Sequence, residues 1–151
     1  MPDITAARPV AGAPIETLWG QQAHDLIESV FGARTVNGPT ASWPFVFSTF
    51  TDIPQMVLTG VPIGTHLVLL AATVDATTAG FGAASIQCVV DGVAQAGVVQ
   101  FMAAAAGYRT TLAGVWLVTV TGAGAVKLQG SKSVNAGNAQ AVGNAMMLAV
   151  L

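Results

Sequence analysis

Charge is what this chain has least of. Only 8% of its 151 residues are Asp, Glu, Lys or Arg, against about 25% in ordinary soluble domains. Five basic and seven acidic residues leave a net charge of −2, and half of them fall within the first 34 positions. Nucleic-acid binding needs clustered Lys and Arg, so that function class is excluded. Cysteine is nearly absent as well. Cys88 stands alone, which rules out an intramolecular disulfide, and its apolar neighbours make it a small buried hydrophobe. Long apolar runs are missing too. The longest, His66 to Val74, is far short of the roughly 20 residues that cross a bilayer as a helix, so no membrane insertion is expected. Met1-Pro-Asp-Ile-Thr5 has neither a basic start nor an apolar stretch, which argues against a secretory signal.

What is present is apolar. Hydrophobic residues make up 53% of the chain. A small domain with so few charges either aggregates or hides apolar surface against copies of itself or a larger assembly, and the chain reads first as an assembly subunit. Gly, Ala, Thr and Val dominate over Lys and Glu, which favours strands over a helical bundle.

Four segments follow along the chain. Residues 1–16 read as an extended arm, because Pro2, Pro9 and Pro14 forbid regular helix. Residues 17–31 read as one short amphipathic helix with Thr17 as N-cap and Gly32 as its stop. Its apolar face is Trp19, Ala23, Leu26, Ile27 and Val30, spaced at helical period. This face is the candidate docking or oligomerisation surface. Residues 32–42 contain Asn37-Gly38-Pro39 and read as a linker.

Residues 43–151 read as an all-β domain. Strands are expected at 43–50, 54–59, 65–75, 83–90, 93–102, 108–120, 125–131 and 145–151, with Gly, Pro and Asp between them. Asp91-Gly92 predicts a two-residue hairpin, since both turn positions need positive φ. The expected class is an antiparallel jelly-roll β-sandwich. Two stretches break the usual alternation. Leu67–Ala71 and Trp116–Val120 are apolar on both faces, which implies that the outward face is also covered.

Catalytic groups do not assemble from the sequence. His24 and Asp25 are adjacent, so they point to different parts of a helix surface. His66 and Cys88 lack the converging partners a metal needs. Ser85, Ser131 and Ser133 lie in no nucleophile elbow. Gly80-Phe-Gly82 and Gly122-Ala-Gly124 sit between strands and read as turns, not phosphate cradles. Asp52, Asp75 and Asp91 fall at predicted turns or strand ends. No enzyme activity and no cofactor or metal is expected. Trp43 and Trp116 are assigned to the core. Tyr108 beside Arg109 is the one exposed-looking pair suited to an anion or saccharide.

The order of features resembles the trimeric jelly rolls of the TNF/C1q-like class found in bacteriophage virion proteins. The matching stretches are Gly64–Val74, Ile86–Val93, Thr110–Gln129 and Ala145–Leu151. The stretch Ala7–Asp25 resembles the leader of small structural proteins from tailed phages of actinobacteria, of minor tail or decoration type. The resemblance implies a non-enzymatic homotrimer that projects from the tail or fibre region. Residues 1–31 would dock it to other virion proteins. A head decoration protein and a receptor-binding, lectin-like knob with a host-surface glycan as partner are the alternatives. The implied location is the virion, assembled in the bacterial host cytoplasm.

Overall fold

In the computed structural model, residues 34–78, 82–103, 106–133 and 137–151 are described. The arm at 1–16 and the helix expected at 17–31 lie outside the described residues. The unit Arg34–Val150 consists of strands. They are β1 (Arg34–Gly38), β2 (Trp43–Pro44), β3 (Thr51–Leu58), β4 (Gly64–Ala76), β5 (Gly82–Val90), β6 (Val93–Ala103), β7 (Tyr108–Val120), β8 (Val126–Lys132) and β9 (Ala139–Val150). Sheet A has the order β1-β9-β4-β7, with β2 also on β9. Sheet B has the order β3-β8-β5-β6. The strands named here pair antiparallel. From β3 onward the chain passes repeatedly between the sheets, and the result is the expected jelly-roll sandwich.

The sheets trap one apolar layer. Val68, Leu70, Val118 and Leu148 from sheet A meet Met56, Ile86, Cys88 and Leu128 from sheet B, all essentially buried. Each strand reaches this layer with alternate residues, because side chains along a strand point to opposite faces. Trp116 is 6% exposed, and its indole N–H donates to the Gly97 carbonyl at 3.1 Å. Gly114 makes room for that ring: a Cβ there would lie 2.7 Å from it. Trp43 is half-buried and packs edge-on to Phe45.

The Asp91-Gly92 hairpin forms, with φ of 48° and 85°. The Asp91 carboxylate accepts the N–H groups of Gly122 and Ala125 at 3.0 Å, tying the hairpin to the turn between β7 and β8. Those backbone donors, Ala125 foremost, hold its pKa below the ordinary value.

The N-terminal half of the domain departs from expectation. Arg34–Gly38, within the stretch expected as a linker, is a strand pairing with Val150–Met146 at the other end of the chain. The strand expected at 43–50 shrinks to Trp43–Pro44. The strand expected at 54–59 is Thr51–Leu58 and runs through Pro54. An edge strand with a bulge tolerates proline, whose missing N–H costs no ladder bond there. The bulge lies between Asp52 and Val57, where Gln55 has φ 68°. β9 begins at Ala139, earlier than the expected 145.

The sandwich has two distinct ends. At one, Arg34 pairs with Val150 and Gly64 with Val120. There the Arg34 guanidinium donates to the carbonyls of Thr59 and Gly60. At the other, Ala76 pairs with both Tyr108 and Ala139. The chain enters the domain at the first end.

Candidate assembly surface

The outward faces of the two sheets differ in chemistry. On sheet B, β3, β8, β5 and β6 place Asp52, Lys127, Gln129, Gln87, Ser85 and Gln100 outward. These side chains hydrogen-bond to one another. Asp52 takes Lys127 Nζ at 2.8 Å and Gln129 Nε2 at 2.7 Å. Gln87 Nε2 donates to Gln129 Oε1 at 2.9 Å, and Gln100 Nε2 to Ser85 Oγ at 3.3 Å. The two donors to Asp52, Lys127 first, hold its carboxyl below the ordinary 3.8. Val57, Val98 and Met102 are exposed beside this polar stripe.

The outward face of sheet A is apolar. β4 and β7 pair so that Leu67 faces Leu117, Leu69 faces Val115, and Ala71 faces Ala113. Met147 of β9 lies beside Ala71. Leu117 is 75% and Val115 64% exposed. Outside this patch the face carries threonines at Thr65, Thr73, Thr111 and Thr119. Among the described residues its only charges are Asp75 and Arg109, paired at 2.8 Å at the far end of the strands. The two stretches that are apolar on both faces in sequence thus overlap across the strands at Leu67–Leu117 and Val68–Trp116, and Val115 and Ala113 carry the patch on beside Leu69 and Ala71. Leu67, Leu69 and Ala71 with Leu117, Val115, Ala113 and Met147 form one apolar patch on the outside of the sheet. Contiguous exposed patches of this kind mark interaction surfaces.

The remaining candidates sort by geometry. Tyr108 and Arg109 are consecutive in β7, so their side chains leave opposite faces of the strand. Tyr108 stacks on Phe101 with ring centroids 5.7 Å apart, while Arg109 reaches Asp75 on the outward face. They do not converge on a shared ligand position. Trp19, Ala23, Leu26, Ile27 and Val30 lie outside the described residues. Asp52 and Asp91 both line a cavity of about 700 Å³, with Pro54, Met56, Gly122 and Lys127 among its walls. Both carboxylates are occupied by hydrogen-bond donors and held ionised. A general acid needs the opposite shift. Burial pushes the Cys88 thiol up to about 12, the wrong direction for a nucleophile. Among the described residues no cluster of His, Cys, Asp and Glu is assembled to hold a metal, and no helix is long and apolar enough to cross a membrane.

Sequence reading found the doubly apolar strands but not Met147, the Asp75–Arg109 pair or the polar ladder of sheet B. Those depend on which strands become neighbours, and only the cross-strand register supplies that.

No protein-family model and no curated protein matches the chain. Solved structures do. A chain of infectious bursal disease virus, Gx strain, superposes with a TM-score of 0.50 at 14% identity, over 78% of this chain and 31% of that one. The VP2 subviral particle of the same virus gives a TM-score of 0.50 at 13% identity, over 78% of this chain and 32% of that one. The globular domain of zebrafish complement 1qA gives a TM-score of 0.44 at 11% identity, over 79% of this chain and 94% of that one. This chain therefore spans about a third of the length of the viral chains it matches. At such identities the likeness is one of fold.

Proposed function

We propose that this protein is a non-enzymatic structural subunit of a bacteriophage virion. It assembles as a homotrimer through the outward face of sheet A and docks to the tail or fibre region through residues 1–31. The observation that carries the reading is the contrast between the two sheets. Sheet B shows water a hydrogen-bonded ladder of charged and amide side chains, with Val57, Val98 and Met102 set beside it rather than in one patch. Sheet A shows it Leu67, Leu69, Val115, Leu117 and Met147. Burying apolar area yields about 25 cal/mol per Å², and a patch repeated on every copy makes rotational symmetry the economical way to cover it. The likeness in fold to chains of infectious bursal disease virus particles supports the reading.

The test is made on purified particles. Phage particles produced from a genome encoding this chain are dissociated, and their proteins are quantified by mass spectrometry. The chain is expected in every particle, in copy numbers divisible by three, and in the tail fraction after heads and tails are separated. Recovery in the head fraction would move its position to capsid decoration. Absence from particles, with the chain left in the lysate, would overturn the proposal.

A further inference from the structure

The end of the apolar face carries a polar feature that the isolated chain leaves incomplete. Asp75 is 7% exposed although it belongs to the outward row of β4. Its Oδ2 accepts a hydrogen bond from Arg109 Nη2 at 2.8 Å. Its Oδ1 is buried and has no hydrogen-bond partner. Buried carboxylate oxygens are nearly always satisfied, and an orphan calls for a missing partner. The Arg109 side chain, by contrast, is 60% exposed. A guanidinium has five N–H donors in a planar fork, which suits it to take a carboxylate two-handed.

These are the only charges on the outward face of sheet A among the described residues, and they are opposite in sign. A face with one carboxylate and one guanidinium is complementary to itself. Two copies meeting through it bring each guanidinium within the field of another copy's carboxylate. We infer that Asp75 and Arg109 exchange partners when copies of the chain assemble. As its own Arg109, 60% exposed, swings off and uncovers the carboxylate, Asp75 is taken by the guanidinium of the next copy, and the orphaned Oδ1 gains its donor. Repeated round a rotation axis, the exchange closes a ring of alternating carboxylates and guanidiniums at one end of the apolar contact. Apolar contacts are non-directional, whereas a paired charge fixes register and rejects a slipped arrangement. The ring is therefore the register device of the assembly. The inference rests on the proposed self-association through sheet A, and its occupant is a second copy of this chain.

The experiment uses the full chain and the double variant Asp75→Asn/Arg109→Gln, which removes both charges and leaves no lone buried ion. Sedimentation equilibrium gives the dissociation constant of the oligomer at about 50 and about 500 mM salt, where screening of a rim charge pair differs strongly. The natural chain is expected to bind itself several-fold more weakly at high salt. The double variant should dissociate at least about tenfold more readily at low salt and lose the salt dependence, while its thermal unfolding stays cooperative. If the double variant does not fold, Arg109→Lys keeps the charge but loses the fork, and should weaken assembly in the same direction. An assembled natural chain whose association ignores both salt and substitution would overturn the exchange alone. A natural chain that stays monomeric would overturn the self-association beneath it.

Discussion

Replacing Leu117 with Asp separates the two roles a surface leucine can have. Leu117 is 75% exposed in the single chain, so its removal should leave the melting temperature of an isolated subunit nearly unchanged. In the assembly the same side chain is covered. Full burial of a leucine contributes about 2 kcal/mol, and three copies together contribute about 6 kcal/mol. At 1.4 kcal/mol per factor of ten, the dissociation constant of the trimer rises about 10⁴-fold. Burying a carboxylate against Val115 and Leu69 of a neighbour adds to that figure. Sedimentation equilibrium across micromolar concentrations reads the change, with circular dichroism as the check on folding. Gln100→Asp, on the polar outward face of sheet B, is the control and should keep the mass of the natural chain. The reasoning is refuted if Leu117→Asp assembles like the natural protein. It is equally refuted if the variant unfolds, since that would make Leu117 part of the fold.

Four further outcomes follow from the geometry. Met102, 57% exposed, and Met147, 38% exposed, are an internal pair: dilute peroxide should oxidise Met102 at least about tenfold faster in the natural assembly, and similar rates by peptide mass spectrometry would contradict coverage of sheet A. Gly124 has φ 67°, and a Cβ there would sit 2.2 Å from the Val61 carbonyl oxygen, so Gly124→Ala should lower stability by at least about 2 kcal/mol in urea unfolding. The Asp52 pKa is depressed by Lys127 and Gln129, so its stabilisation is present above the ordinary 3.8 and is lost as pH falls through the folded-state value; Asp52→Asn should flatten the acid limb of the stability curve, and an unchanged limb would show the pair to be idle. Cys88, buried with its thiol pushed up to about 12, should ignore a thiol reagent at pH 8 until the chain is unfolded in guanidinium.

The central and C-terminal strands were legible because their signals are local. Asp91-Gly92 fixes the β5–β6 hairpin by its own backbone preference, and β7 was expected and found at 108–120. The strands that escaped are held by distant partners. Arg34–Gly38 is short and flanked by turn residues, and only pairing with Val150–Met146 makes it a strand. The start of β9 carries Gly143 and Asn144, which read as loop. In the fold, Gly143 lies against the backbone of Ala41 and Ser42, where a Cβ would sit 2.9 Å away, and Asn144 takes φ 56°. Both are local irregularities inside a pairing that the sequence signals only at long range. The assembly face shows the same division. That Leu67–Ala71 and Trp116–Val120 are mostly apolar on both sides is visible along the chain. That they overlap at Leu67–Leu117 and Val68–Trp116, that Val115 and Ala113 extend the patch, and that Asp75 and Arg109 close one end of it, follows from the β4–β7 register.

The central claim is that copies of this chain cover one another's sheet A. Its most direct test is the mass of the purified full chain by light scattering over a hundredfold range of concentration. A mass of three chains, constant down to low micromolar protein, is the predicted result. A mass of one chain at every concentration would contradict it.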